Sequence, residues 1–241
     1  MTNDNETLGR VLTRREVIAL MGVSGAALFA RGIPRLHAHA ALPACVVRPQ
    51  QTEGPYFSDV MLHRSDIRAE PGTGVARAGT PFDLTFNVSR VDDGECRPLA
   101  GAQVDVWQCD ANGVYSDARD RSFNTIGQKF LRGYQRTDTQ GRARFTTIYP
   151  GWYQGRTVHV HFKIRTEPGG ARGYEFTSQL YFDDAFTDRV YAKAPYAGHA
   201  GRRTRNEADG IFRNGGRQLL LDIAESGDRY SAVFDVGLQI G

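Results

Sequence analysis

The chain has 241 residues, a formal net charge of +3 at pH 7, and a composition that is 40% hydrophobic, 24% charged and 10% aromatic. This length is typical of one domain with a large core, or of one domain and a tail. The 27 glycines and the scarcity of long polar runs argue against a helical bundle. They indicate a turn-rich protein built from short strands.

Residues 1–40 have the pattern of an export signal. The pair Arg14-Arg15 directly precedes a largely apolar stretch, 17–30, that is too short to anchor in a bilayer. An Ala-His-Ala triplet at 38–40 then suits the small-residue pattern that signal peptidase cleaves. The whole segment resembles a twin-arginine signal, which exports proteins that are already folded, often with a cofactor loaded. We therefore predict a periplasmic or secreted protein that engages the export machinery for folded proteins.

Two other interpretations of the N-terminus fit less well. An amphipathic first helix of the domain would need a 3.6-residue period, which the apolar stretch does not have. A lipoprotein signal ending at Cys45 would place Pro43 in the cleavage motif, where it is a poor match. With the twin-arginine interpretation, we expect no stable membrane insertion of the processed protein.

Residues 41–241 form the predicted mature domain. The signal takes away five arginines and three acidic residues, so the net charge falls to +1 and nothing predicts a nucleic-acid partner. Three cysteines, Cys45, Cys96 and Cys109, permit one disulfide in an oxidising compartment and leave one free thiol. Cys96 precedes a predicted strand and Cys109 ends it. This separation disfavours their pairing and favours Cys45 as the partner of one of them.

A turn-rich lead-in at 41–79 is followed by short strand candidates with turn signals between them. The predicted strands are 82–91, 103–109, 142–149, 156–164, 177–182, 218–223 and 230–236. A short helix is expected near 185–192. Short strands joined by turns, without long amphipathic helices, predict an all-β fold: an antiparallel β-sandwich with long loops and little helix.

The stretch RTVHVHFKI, at 156–164, places two histidines two residues apart on a predicted strand. Because alternate side chains of a strand share a face, His159 and His161 should project together. Two neutral imidazoles side by side are an efficient clamp for a transition metal. The pattern also fits a strand whose histidine face is merely polar, so a metal site requires further ligands.

Two tyrosines supply possible oxygen ligands. Tyr115 follows the Asn-Gly turn at 112–113, and Tyr153 follows the Pro-Gly turn at 150–151. Each could equally pack at a sheet edge with its hydroxyl in water. The cysteines are not spaced for zinc, and calcium and magnesium prefer carboxylates. Two imidazoles with two phenolates suit Fe(III), because only a strong Lewis acid keeps phenols ionised at neutral pH.

With these residues in place, the sequence resembles the intradiol ring-cleavage dioxygenases. The matching stretches are GPYF at 54–57, RSDIR at 64–68, PLAGAQVDVWQCDANGVYSD at 98–117, YPGWY at 149–153, RTVHVHF at 156–162 and TSQLYF at 177–182. The resemblance covers most of residues 45–215 in order. It implies a β-sandwich and a mononuclear non-haem Fe(III) with four protein ligands: Tyr115, Tyr153, His159 and His161.

The resemblance also implies a reaction and roles for individual residues. A catechol-type substrate would be cleaved by O2 between its two hydroxylated carbons to a muconate-type product. Tyr153 would leave the metal and act as general base, whereas Tyr115 would stay bound. Arg156 and Gln179 would line the substrate pocket. The Arg156 role requires the turn at 154–155 to extend through Arg156, because a regular strand would point this side chain away from the histidines; a plain salt bridge is the alternative.

Catechol- and hydroxyquinol-cleaving relatives have a helical N-terminal dimerisation region, whereas nothing helical is predicted here after the signal. A homo-oligomer is possible, but the family's mode of dimerisation is not predicted. The preferred catechol is also undetermined. An exported sandwich that only binds aromatic or carbohydrate ligands is the main alternative function. A cupin-like metal enzyme would need His199, whose spacing is poor for that role.

Overall fold

The computed structural model describes residues 46–92, 95–167, 173–199, 201 and 204–240. These residues belong to one compact unit, Leu42–Gly241. The predicted signal at 1–40 and Cys45 lie outside the described residues. Within the described ranges, no helix is both long enough and apolar enough to cross a membrane.

The described residues include nine β-strands. They are β1 (Pro81–Asp92), β2 (Glu95–Pro98), β3 (Gln103–Trp107), β4 (Arg132–Arg136), β5 (Arg142–Ile148), β6 (His159–Arg165), β7 (Glu175–Tyr181), β8 (Ala224–Ser226) and β9 (Arg229–Gln239). One sheet has the order β2-β1-β9-β8, with β5 also paired to β1, and the other has the order β4-β3-β6-β7. The predicted all-β sandwich with little helix is confirmed. One detail differs, since β1 and β9 run parallel whereas every other pair of named strands is antiparallel.

The inner faces of the two sheets meet in one aromatic core. Burial alternates along β1, so that Phe82, Leu84 and Phe86 point inward. The Phe86 ring lies 5.1 Å from Phe162 of the opposite sheet and 6.1 Å from Phe234 of its own. Each such buried ring contributes roughly 1.5–3 kcal/mol relative to an exposed one. This core fixes β6, the strand that carries the two histidines.

Two short α-helices follow β7. Helix α1 (Asp184–Tyr191) confirms the helix expected near 185–192, and Asp183 caps it by accepting the Phe186 N–H at 2.8 Å. Helix α2 (Gly210–Arg213) has Asp209 as its N-cap. The turn-rich lead-in is also observed from residue 46 onward, where only isolated bridges occur before β1.

The predicted strand at 218–223 is wrong. A 3₁₀ helix, Gly216–Leu219, occupies its start, directly after Gly215 with φ of 89°. Leu219 and Leu221 are buried while Leu220 is 37% exposed, so burial alternates over these three residues. They nevertheless join no strand, because Leu220 makes only one isolated bridge, to Tyr181.

Strand β4 was not predicted, because its sequence RGYQR is polar and carries a central glycine. Gly133 is required there by packing. A Cβ on it would lie 3.0 Å from side-chain atoms of Arg64 and Ile67 in the lead-in segment that crosses this strand. The tertiary contact therefore selects a residue that lowers the strand propensity.

The two cysteines among the described residues have the predicted bonding states. Cys96, in β2, is disulfide-bonded, whereas Cys109 is a buried free thiol just beyond the end of β3. The prediction that these two do not pair with each other is confirmed. Strand β3 ends at Trp107, two residues before the predicted boundary.

Candidate metal centre

Strand β6 brings the two histidines together on one face, as the i, i+2 spacing predicts. The Nε2 atoms of His159 and His161 lie 3.0 Å apart, and the two residues are only 2% and 0% exposed. On the opposite face, the intervening Val160 is buried in the core. Two buried ring nitrogens that face each other at this distance can share one further group, such as a cation.

The local backbone sets which nitrogen of His159 is available. Its Nδ1 lies 2.6 Å from the Thr157 carbonyl, so Nδ1 carries the hydrogen and Nε2 keeps a lone pair. Burial, and next the charge of Arg156, lower the pKa of His159 to about 3, and burial holds the pKa of His161 well below its usual range. Both rings are therefore neutral near pH 7. Nδ1 of His161 is buried without a hydrogen-bond partner in the described residues.

Tyr115 and Tyr153 reach the same point from two loops. The hydroxyl oxygen of Tyr115 lies 3.4 Å from Nε2 of His159. The Tyr153 ring centre is 5.6 Å from those of Tyr115 and His159. The four side chains that the sequence singles out as ligands are thus gathered in one place, although 46 positions separate the outermost pair.

Two glycines let the tyrosine loops pack against each other. Gly113 has φ of 79°, and a Cβ there would lie 2.1 Å from the Trp152 carbonyl oxygen. A Cβ on Gly151 would lie 2.3 Å from the carbonyl oxygen of Asp110. Both approaches are closer than any real Cβ contact. Glycine at these positions therefore allows the loops that carry Tyr115 and Tyr153 to approach this closely.

Hydrogen bonds hold the Tyr115 loop in a fixed conformation. Thr125 donates to the Tyr115 carbonyl at 2.5 Å, and the buried Arg132 donates to Ser116 Oγ at 2.8 Å. Arg132 also donates to the carbonyl of Tyr56 at 3.1 Å. The Tyr56 ring in turn stacks on Tyr115, with 4.5 Å between ring centres. The phenol of Tyr115 is therefore pre-positioned by its surroundings.

Both phenols lie where ionisation is costly. Burial raises the pKa of Tyr115 well above its usual value of 10. Burial likewise raises the pKa of Tyr153 to about 12, although the nearby Arg156 cation opposes this effect. Unaided, the two tyrosines stay protonated at neutral pH. They become anionic ligands only beside a strongly charged cation.

The Arg156 side chain points toward the site because β6 begins three residues later than predicted. The turn at 154–155 extends through Arg156, whose N–H donates to the Tyr153 carbonyl at 3.3 Å. Its guanidinium donates to Gln179 Oε1 at 2.6 Å and to Asp209 Oδ2 at 2.8 Å. The turn that a pocket role requires is present, and the alternative of a salt bridge is realised. Neither Arg156 nor Gln179 is among the described residues that line the cavity beside the tyrosines.

Sequence reasoning missed Asp209 altogether. Its carboxylate is 1% exposed and accepts the N–H of Thr157 at 2.9 Å as well as the Arg156 contact. It also caps helix α2. An Asp before a short helical run is a detectable N-cap signal. Its pairing with a residue 53 positions earlier has no sequence signal.

Two aromatic residues beside the ligands were also missed. Trp107 stacks on His161 at 5.0 Å with only 8° between the rings. Tyr56 lies against both tyrosines, and its hydroxyl donates to Asp120 at 2.7 Å. Tyr56 belongs to the GPYF stretch, for which the family resemblance implied no role of this residue.

His199 is not part of the centre. Its Nε2 lies 3.1 Å from the Trp152 carbonyl, and its own carbonyl accepts the Trp152 indole N–H at 3.3 Å. The cupin-like arrangement therefore has no support. Among the described residues, no group of three or more His, Cys, Asp or Glu side chains is arranged to hold a metal. Any metal held by His159 and His161 depends on the tyrosines.

A cavity of about 850 Å³ adjoins the tyrosine side of the centre. Its wall includes Tyr153 and Tyr56, so a small molecule in it would contact both residues. The cavity also reaches the turn at 112–113 and the loop at 120–123. The arrangement can therefore bind a metal and an organic ligand side by side.

Comparison with known proteins gives consistent matches. A family model described as Dioxygenase matches residues 52–208. The structure titled intradiol ring-cleavage dioxygenase from Tetranychus urticae is 31% identical, covers 81% of this chain and 95% of that chain, and has a TM-score of 0.68. The dioxygenase domain of a carbohydrate-binding fusion protein from Streptomyces sp. SirexAA-E is 27% identical. That match covers 81% of this chain and 100% of that one, with a TM-score of 0.55.

Curated relatives match over shorter spans. Catechol 1,2-dioxygenase of Candida albicans is 33% identical over 136 residues, which are 48% of this chain and 42% of the relative. The protocatechuate 3,4-dioxygenase beta chain of Burkholderia cepacia is 30% identical over 158 residues, or 62% of each chain. The chain thus spans between two fifths and two thirds of the length of these relatives.

Proposed function

The chain belongs to the intradiol ring-cleavage dioxygenase family, and from that premise we propose that it is a mononuclear non-haem Fe(III) enzyme. It cleaves catechol-type aromatics with O2 between the two hydroxylated carbons, giving muconate-type products. The observation that carries the proposal is the convergence of two buried neutral imidazoles and two buried phenols beside a cavity.

The donor set suits a hard, highly charged ion. Tyr115, Tyr153, His159 and His161 would hold it. The two imidazoles are neutral, and both phenols have raised pKa values, so only a strong Lewis acid would ionise them. Among the residues that the structure describes, only His161 and Tyr115 come within hydrogen-bond distance of Nε2 of His159, which fits a nitrogen kept for a metal.

The chemistry that Fe(III) supplies when bound is withdrawal of electron density from the catechol oxygens, so that a ring carbon can react with O2 directly. The chain's own contribution begins with proton transfer. A catechol must lose two protons, and Tyr153, which lines the cavity, would accept one of them as phenolate. Tyr115 is fully buried and stacked, so it stays in position.

Arg156 contributes charge stabilisation. Its side chain is 13% exposed and its guanidinium is anchored on Asp209 and Gln179, so its orientation is set before substrate binds. A fixed cation at this position stabilises negative charge that develops on the ring during cleavage. Gln179 is itself held, because its amide donates to the Thr52 carbonyl at 2.8 Å.

We also propose that the protein is exported by the twin-arginine route. The support is the Arg14-Arg15 pair ahead of a moderately apolar stretch, together with the disulfide bond at Cys96. Disulfides persist in oxidising compartments outside the cytoplasm. Four ligands drawn from one strand and two loops can be loaded with metal only after folding, which suits a route for folded proteins.

An anaerobic titration with catechol, followed by visible spectroscopy, tests the proposed function. The iron-loaded protein should be coloured by tyrosinate-to-Fe(III) charge transfer, and catechol should shift that absorption. Admission of O2 should then yield a muconate-type product. Hydroquinone, whose hydroxyls cannot bind one ion together, serves as the control and should cause no shift. An iron-loaded protein whose spectrum ignores catechol would contradict the proposal.

A further inference from the structure

The cavity beside the centre is large for a single aromatic ring. Its volume of about 850 Å³ lies near the top of the roughly 300–1,000 Å³ range of pockets that bury drug-sized ligands. A catechol that bound to the centre would fill only the part next to Tyr153. The remainder extends along the loop at 120–123 toward His199.

The walls of that remaining space are aromatic and only partly covered. The rings of Tyr56, Phe123 and Tyr153 are partly buried and pack on the cluster around Tyr115, so each leaves surface open to the cavity. Trp152 closes another side, with its ring centre 4.7 Å from that of His199. Flat aromatic faces around an open space suit a planar aromatic ligand, because offset and edge-on ring contacts are favourable.

The mouth of the cavity is polar. Asn112, Arg121 and Gln154 are exposed there and can hydrogen-bond to groups on the outer end of a ligand. The loop that carries Phe123 is a small hairpin, held by the Asp120 N–H to the Phe123 carbonyl at 2.9 Å and by a bridge from Arg119 to Asn124. The position of this aromatic wall is therefore fixed by contacts within the fold.

We propose that the substrates are ortho-diphenols that carry a second planar ring or conjugated group, held between Phe123, Tyr56 and Trp152. This inference rests on the proposed function and specifies its substrate class. The diphenol ring occupies the space next to Tyr153, and the second group fills the outer part of the cavity. Phe123 then determines specificity without touching the reacting carbons.

The test compares catechol with a catechol that bears a phenyl group para to one hydroxyl. The wild-type holoenzyme should have a kcat/KM for the phenyl compound at least equal to that for catechol. Phe123→Ala should lower kcat/KM for the phenyl compound by about ten-fold, the contribution of one good aromatic contact, and leave catechol within about two-fold. Ser122→Trp, at the hairpin tip, should have the same selective effect by filling the cavity.

Ile126→Trp is the matched control, because Ile126 is 61% exposed in the same loop region and does not line the cavity. A wild type that prefers catechol by ten-fold or more overturns the inference. So does an unchanged substrate ratio in both Phe123→Ala and Ser122→Trp.

Anaerobic calorimetry separates this inference from the proposed function. If neither diphenol is turned over, the proposed function fails. Tighter binding of the phenyl compound than of catechol, weakened by Phe123→Ala, would then still support the assigned cavity. Equal binding of both compounds would overturn it.

Discussion

At the scale of single residues, the two imidazoles and two phenols should contribute differently to metal binding and to turnover. His161 is fully buried, with Trp107 stacked on one side and Gly54 so close that a Cβ there would lie 3.2 Å from its Cε1 atom. Tyr153 instead faces the cavity. Loss of His161 should therefore affect metal retention, whereas loss of the Tyr153 hydroxyl should affect turnover.

His161→Ala should lose iron, colour and activity while the protein stays folded. The reason is that one strand supplies both imidazoles, so removal of either one opens the site. Removing a buried side chain should also cost about 2–4 kcal/mol of stability. Metal analysis, circular dichroism and thermal unfolding measure these effects. His63→Ala, an exposed histidine stacked on Tyr134, is the control and should keep its iron. Full iron and full activity in His161→Ala would refute the metal assignment.

Tyr153→Phe should retain more iron than His161→Ala, because water can replace one oxygen ligand. Its kcat should nevertheless fall by about 10²-fold or more, the usual contribution of a positioned general base. Iron content and steady-state kinetics with catechol give the comparison. Tyr134→Phe, away from the centre, should behave as wild type. Turnover of Tyr153→Phe at the wild-type rate would show that another group accepts the proton.

Asp209→Asn should lower both stability and kcat/KM. Asp209 is 1% exposed and pairs with Arg156, so neutralising it leaves a largely buried cation without its partner. Breaking such a pair costs about 3–5 kcal/mol when fully buried, and the partial exposure of Arg156 points to the lower end. Thermal unfolding and kinetics test this. Glu225→Gln breaks the exposed pair with Arg189 and should change neither quantity appreciably. A wild-type kcat/KM in Asp209→Asn would show that catalysis does not depend on the anchoring of Arg156 by Asp209.

At the scale of elements, the site depends on how two loops meet beside one strand. The loop that ends at Tyr115 and the loop that carries Tyr153 touch through backbone atoms at Gly113 and Gly151. Neither loop is part of a sheet at that point, so this backbone contact helps to set their separation, together with the Gly151 N–H, which donates to the Asp110 carbonyl at 3.1 Å. A side chain placed there acts on both tyrosines at once.

Gly151→Ala should push the loops apart and weaken iron binding without changing any ligand. The added Cβ would meet the Asp110 carbonyl oxygen at 2.3 Å, a contact that only a backbone shift can relieve. Overpacking of this kind costs about 1–3 kcal/mol. Iron affinity and the charge-transfer band are the measurements. Gly72→Ala, where nothing lies within 4 Å of the added Cβ, is the control. An unchanged band in Gly151→Ala would show that the loop contact does not position the tyrosines.

At the scale of the whole molecule, we expect folding and metal loading to precede export. Replacement of Arg14 and Arg15 together by lysine should trap metal-loaded precursor in the cytoplasm, still active on catechols in lysate. Fractionation with immunoblotting and activity assays locates the protein. Replacement of Arg31 and Arg35 by lysine, beyond the apolar stretch, is the matched control and should not affect export. Normal export of the Arg14, Arg15 double variant would refute the twin-arginine assignment and leave the dioxygenase proposal intact.

Much of the fold followed from local patterns because those patterns have local causes. Alternating apolar residues predicted β1 and β9, and the helix near 185–192 has its own capping residue. The failures have tertiary causes. Strand β4 has a glycine because another segment crosses it, and the segment at 218–223 is apolar because it packs under the core without joining a sheet.

The candidate site divides in the same way. The sequence alone determined that His159 and His161 share a face, since this follows from the two-residue period of a strand. The inclusion of Tyr115 and Tyr153 rested on resemblance, because nothing local links positions on different loops. Only the tertiary structure decided that Asp209 anchors Arg156 and that Phe123 and Trp152 wall a large cavity. Contacts between distant positions produce no local sequence pattern, so they can be identified only in the folded structure.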